Sequence, residues 1–223
     1  MKKMRSSILC LLALLFTAPM LYGQELSKYR AFSLGTSLSA VLKQTDQKLT
    51  DVRTTHARPS LFQELTWWPS PLGLSSRSDP VEQILFSFYN GELYKISVTY
   101  DRDATKGLTA ADMMKAIADK YGPPTNVVLE IDSATTERYG FMGKAVASWD
   151  NSQYSVNLVR SSFIDAFGLV IYSKLINAEA ELGIAESGKL EQDEAPKREA
   201  ERQQKATDDL ETARQKNRKV FQP

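Results

Sequence analysis

The sequence predicts an α+β fold: an antiparallel sheet with packed helices, ending in a charged helical extension. Three observations predict it. Two glycine-opened helical patterns, at Gly35 and Gly107, are each followed by four strand-like apolar stretches. The stretch Ile84–Tyr100 reads as a hairpin around Asn90-Gly91. From Ala178 to Pro223, 20 of 46 residues are charged and Phe221 is the only aromatic, so this part cannot build a core.

The first 23 residues form a leader. Lys2, Lys3 and Arg5 precede an apolar run of nine residues, Ile8–Phe16, and Pro19 and Gly23 follow. This order matches a secretory signal peptide cut after Gly23. Nine residues are too few to span hydrocarbon, which takes roughly 20. Cys10, the single cysteine, lies inside the run rather than at the cut, so no lipid anchor is expected. The mature chain is thus expected to be periplasmic or secreted, with no transmembrane segment and no disulfide.

Residues 24–177 are expected to form the globular domain, with 16 basic and 16 acidic residues. Leu38, Val41 and Leu42 follow Gly35-Thr36-Ser37 at helical spacing. Strands are then expected at Val52–His56, Leu61–Trp68, Ile84–Tyr89 and Leu93–Tyr100. Thr109 is a good N-cap, and Asp112 completes a shortened capping box. Ala110, Met114, Ile117, Ala118 and Tyr121 make one apolar face, and Gly122-Pro123-Pro124 stops the helix. Strands recur at Asn126–Ile131, Lys144–Trp149, Tyr154–Arg160 and Gly168–Lys174. A helix and four strands occur twice, in residues 30–104 and 105–177. This is either a tandem repeat or one α+β domain with coincidental order.

Two registers compete in the hairpin. A two-residue Asn90-Gly91 turn pairs Phe86 with Lys95 and mixes the faces. A three-residue loop, Tyr89–Gly91, pairs Phe86 with Tyr94 and gathers Ile84, Phe86, Phe88, Tyr94, Ile96 and Val98 on one side. Register follows the buried face, so the longer loop is expected, with Gly91 left-handed.

Three phrases carry a resemblance: Phe32-Ser-Leu-Gly-Thr-Ser-Leu-Ser-Ala-Val, Phe88-Tyr-Asn-Gly-Glu-Leu-Tyr-Lys-Ile and Lys120-Tyr-Gly-Pro-Pro. They resemble motifs of uncharacterised bacterial exported proteins. More distantly, a glycine-opened helix before an antiparallel sheet resembles the small lipoprotein of the outer-membrane assembly machinery and the β-lactamase-inhibitor protein. The resemblance covers roughly Tyr29 to Lys174 and implies a binding module rather than an enzyme. The chain lacks the lipidation cysteine of the first family and the disulfide cysteines of the second, and no functional residue of either is carried over.

Function classes narrow by composition. Basic residues number 28 and acidic residues 27, so the clustered basic footprint of a nucleic-acid binder is missing and no nucleic-acid partner is expected. His56 is the only histidine, which leaves a serine triad or a zinc site without its ligands. Asp101 and Asp103 read as turn formers, with Ca²⁺ ligation the alternative, although the glycine and distal glutamate of a calcium loop are missing. Asp132 and Glu137 are a further carboxylate pair. No catalytic residue is assigned and no cofactor is expected.

The Trp67-Trp68 pair is the best binding candidate. Strand alternation sends the two rings to opposite sides. Trp67 shares a face with Leu65 and is expected in the core; Trp68 is the expected contact. Arg53, Arg58 and Arg77 are expected to rim that patch. The tail, 178–223, offers four-residue charge pairs (Glu194 with Arg198, Glu201 with Lys205) but no apolar stripe. It reads as solvated and partly helical, or as an arm that folds on a partner. The function expected is an exported, non-catalytic protein that binds another envelope protein or an extracellular polymer. The alternative is a carboxylate-based or calcium-dependent hydrolase.

Overall fold

The computed structural model describes residues 25–69, 79–127, 143–161 and 166–221. Residues 1–23 (read above as a leader), Arg77, Asp132 and Glu137 fall outside them. Strands β1 (Lys28–Tyr29) and β2 (Phe32–Ser33) pair as a small ribbon. Helix α1 (Leu38–Thr45) leads into β3 (Val52–His56), β4 (Phe62–Trp67), β5 (Val81–Tyr89) and β6 (Glu92–Tyr100). Helix α2 (Ala110–Tyr121) leads into β7 (Asn126–Val127), β8 (Gly143–Asp150), β9 (Tyr154–Ser161) and β10 (Phe167–Ser173). Helix α3 (Lys174–Val220) closes the chain.

All the long strands join one antiparallel sheet in the order β3-β4-β5-β6-β10-β9-β8-β7. A helix and four strands occur twice, and the two meanders meet through their last members. Leu169 of β10 faces Val98 of β6, and Ile171 faces Ile96. One face of the sheet carries the main core, with Ile84, Phe86, Phe88, Ile96, Trp149 and Leu158 fully buried under α1, α2 and the N-terminal ribbon. Each such side chain contributes roughly 1.5–3 kcal/mol of burial.

The capping residues act as their chemistry dictates. Thr109 Oγ1 accepts from the Asp112 amide at 3.2 Å, and Asp112 Oδ2 accepts from the Thr109 amide at 2.8 Å. Gly122, at φ +78°, ends α2. Its carbonyl accepts from the Trp149 indole at 2.7 Å, and Tyr121 Oη donates to the Lys28 carbonyl at 2.8 Å. These bonds fix the rotation of α2. The buried stripe is Met113, Ile117 and Tyr121, with Met114 on its flank, one position round from the expected face.

The hairpin corrects the expected register. Tyr89 pairs with Glu92, so Asn90-Gly91 is a two-residue turn with φ +50° and +83°. Positive φ at both positions is what a type I′ turn requires. A β-bulge between Phe88/Leu93 and Ser87/Lys95 absorbs the extra residue, Tyr94. Phe86 then faces Ile96, and Leu93 joins the main core. Tyr94 goes to the other face instead, against Phe62 and Ala180. The apolar sorting that favoured a longer loop is met by a bulge.

Two of the phrases that carried the resemblance touch each other. Gly35, at φ +86°, lets the chain turn beside the hairpin. Its amide donates to the Leu93 carbonyl, the Leu93 amide to Thr36, and the Leu38 amide to Gly91, at 2.8, 2.9 and 3.0 Å. The first amide of α1, that of Leu38, is thus held by the hairpin tip.

The tail also differs from expectation. Helix α3 starts at Lys174 and runs through the boundary expected at residue 178. Its first turns dock on the second face of the sheet along Ile176, Ala180, Gly183 and Ser187. The seam uses small residues because the helix backbone comes close to rings: a Cβ on Gly183 would lie 3.0 Å from Phe62 Cζ. Ser187 Oγ donates to the Arg58 carbonyl at 2.8 Å. From Ala195 to Val220 the helix is exposed on every side. That projecting part spans roughly 39 Å at 1.5 Å per residue. Arg202–Glu199 and Arg214–Glu211 ion pairs lie along it.

Candidate functional site

Two regions present chemistry. The first is the sheet end where β4 stops. Trp67 packs edge-on against Phe32, with ring centroids 5.6 Å apart, and rests on the main core. Trp68 follows and is 48% exposed. The backbone thus sends the two rings apart, as strand alternation requires. Leu49, 66% exposed in the short 3-10 turn Leu49–Asp51, precedes β3 at this same end. Arg53 is exposed on β3 and sits opposite Glu64.

Arg58 is not part of this patch. It precedes β4 at the opposite end, and six strand residues separate the two sites by roughly 20 Å. Its guanidinium donates to Glu194 of α3 at 2.8 Å. His56 lies beside it, with Nδ1 3.0 Å from Glu191. Arg58 and His56 therefore hold α3 down. Glu194, expected to pair with Arg198, is taken by Arg58, and Arg198 donates to the Glu191 carbonyl instead.

The second region is a cleft on the α3 side of the sheet. Register places one continuous polar rung there: Arg53, Glu64, Ser87, Lys95, Tyr172, Ser155 and Asp150, on seven adjacent strands. Directly opposed residues point to the same side. The first two turns of α3 cross this rung and leave a cleft of about 390 Å³. Lys95, Asp150, Tyr172, Lys174, Asn177 and Glu181 line it.

Most of its charges are committed. Lys174 Nζ pairs with Asp150 at 2.9 Å, and Asn177 Nδ2 donates to Glu181 at 2.8 Å. Burial works to raise the Asp150 pKa, but Lys174, Ser155 and Ser148 outweigh it and hold the carboxyl below its ordinary range. Lys95 differs. Its Nζ lies 5.4 Å from the Tyr94 ring centroid, and among the described residues no hydrogen-bond or ion-pair partner meets it. Burial lowers its pKa, partly opposed by Glu64 and Glu181. Tyr94 beside it is pushed up to about 12, chiefly by burial.

Asp101 and Asp103 make turn hydrogen bonds. Asp101 Oδ1 accepts from the Ala104 amide at 2.8 Å, and its carbonyl accepts from the Thr105 amide and hydroxyl. The Asp103 carbonyl accepts from the Lys106 amide. The two aspartates thus shape the turn between β6 and α2. Among the described residues, no group of three or more His, Cys, Asp or Glu is arranged to hold a metal ion. Arg30 and Asp79 form a two-pronged ion pair at 2.6 and 2.9 Å. Hydrogen bonds from Arg30 hold Asp79 low, as the bonds from Thr109 do for Asp112.

A family model described as the TP0088 domain matches residues 27–178. The chain belongs to this family. The match takes in both meanders, α1, α2 and the first turn of α3, so the Trp68 end and the floor of the cleft lie within the TP0088 domain. Glu181 and the rest of α3 follow it. No curated protein and no solved structure matches the chain. No described helix of this TP0088-domain protein is long and apolar enough to cross a membrane.

Within the TP0088 domain, sequence reasoning identified Trp67, Trp68 and Arg53 at one sheet end. It missed Lys95, because a lysine in a strand carries no motif. The available signal was the break in alternation at Tyr94-Lys95, where a polar residue follows two apolar ones inside a strand.

Proposed function

We propose that this TP0088-domain protein is an exported, non-catalytic binding protein of the cell envelope. Its partner is another envelope protein or an extracellular polymer, engaged through the Trp68 end of the sheet. The observation that carries this reading is the outward Trp68 beside a Trp67 that packs inward. A large aromatic left half-exposed is a favoured contact anchor, and the exposed Leu49 adds apolar surface at the same end. The resemblance to exported binding modules supports the same reading. Asp79, Asp112 and Asp150 are held low by hydrogen bonds and pairing, as structural carboxylates are.

The test places a photoreactive amino acid at position 68 in the cells that make the protein, and at exposed Lys115 of α2 as a control. A defined crosslinked product at position 68, absent at position 115 and lost in Leu49→Asp, is expected. Trp67→Ala should cost about 2–3 kcal/mol, reduced from a full core value because the ring is half-buried. Trp68→Ala should change stability by less than about 0.5 kcal/mol. Equal destabilisation by both would assign both rings to packing and remove the proposed contact. Mass spectrometry of the exported protein should begin near Gln24; an intact Met1–Gly23 would overturn the export reading.

A further inference from the structure

We propose that the cleft between α3 and the central strands is a binding site for a small monocarboxylate that also carries hydroxyl or amino groups, with Lys95 as the seat of its carboxylate. The site is independent of the Trp68 surface.

The argument begins with the rung. Lys95 sits near the middle of the sheet, with Ser87 on one side and Tyr172 on the other. Lys95 is only partly exposed there, and burial depresses its basicity. A half-buried cation that meets no hydrogen-bond or ion-pair partner among the described residues is costly, and an anion supplies what it lacks. The cleft of about 390 Å³ that Lys95 lines gives such an anion access and room.

The other linings select the kind of anion. Lys174 is paired to Asp150, and Asn177 donates to Glu181. Each of these carboxylates keeps lone pairs beyond the bonds it already accepts. Asp150 and Glu181 beside Lys95 repel a doubly charged phosphate more than a singly charged carboxylate. They accept hydrogen bonds from hydroxyl or ammonium groups on a ligand whose single carboxylate reaches Lys95. Sugar acids and amino acids share that chemistry.

The full chain is titrated with D-glucuronate, L-serine, acetate and inorganic phosphate, following the Lys95 side-chain methylene signals by NMR. Saturable shifts with glucuronate or serine are expected, with acetate weaker, and the two probes separate a sugar acid from an amino acid. Lys95→Met keeps the apolar stem, so its melting temperature should be equal or higher, and it should weaken binding by about tenfold or more. Glu181→Gln, on the exposed side of α3, should weaken the donor-bearing ligands by roughly threefold and leave phosphate no weaker. Three results would overturn the proposal: no saturable shift with either donor-bearing ligand, phosphate binding more tightly than both, or binding unchanged in Lys95→Met.

Discussion

Removing the tail tests the docking of α3 most directly. Two truncations separate its parts: one stops after Ala195 and discards the projecting helix, and the other stops after Asn177. The second uncovers Phe62 and Tyr94, which are 3% and 4% exposed in the full chain. A fully buried aromatic contributes roughly 1.5–3 kcal/mol, and α3 covers about one side of each ring, so the two lose about 2–3 kcal/mol together. The Ser187 bond to the Arg58 carbonyl adds about 1 kcal/mol. The Glu191 and Glu194 pairs to His56 and Arg58 are exposed and add about 0–1 kcal/mol each. Ordering the helix opposes these gains, so the net loss is about 2–4 kcal/mol. For a domain of this size that is a fall of roughly 4–16 °C in melting temperature. The shorter truncation removes only exposed surface and should leave the midpoint within about 1 °C. Calorimetry of the three proteins reads both values. Equal midpoints for the two truncations would refute the docked seam.

Gly91→Val should cost more than about 1 kcal/mol, through strain at φ +83° alone, since nothing lies within 4 Å of a built Cβ; unchanged thermal stability would argue against the type I′ turn. On α3, Gly183→Leu should cost about 1–3 kcal/mol because Phe62 and Tyr89 crowd the position. Gly188→Ala, in open space, should gain up to about 1 kcal/mol; chemical denaturation that ranks the pair the other way would refute the close approach. Tyr29, Tyr94, Tyr100 and Tyr121 all have raised pKa values in the fold, chiefly through burial. They keep protons that the unfolded chain gives up, so their contribution is full below pH about 10 and falls as pH rises. For Tyr94 the window closes near 12. Absorbance titration should show tyrosinate appearing together with unfolding, and free titration of all the tyrosines near pH 10 in a folded chain would contradict the burial.

What short-range chemistry controls was legible in the residues alone. Thr109, Asp112 and Gly122 bounded α2 because caps act within one turn. Asn90-Gly91 marked a left-handed turn because only certain residues tolerate it, and alternation separated Trp67 from Trp68. The helix-then-four-strands order was legible because each element carries its own period. Features that depend on distant partners became visible in the folded chain. The Tyr94 bulge exists because Leu93 and Ile96 must both reach the main core, a demand set by Phe88 and Phe86 on the neighbouring strand. The α3 seam escaped a search for large apolar residues because Ala180, Gly183 and Ser187 are small, and their value comes from letting a backbone approach the rings of Phe62 and Tyr89. Lys95 lines one cleft with Asp150 and Glu181 only because β6 pairs with β10 and α3 folds back across them. Strand pairing over such separations depends on which faces are buried together, and no local pattern around Lys95 records that.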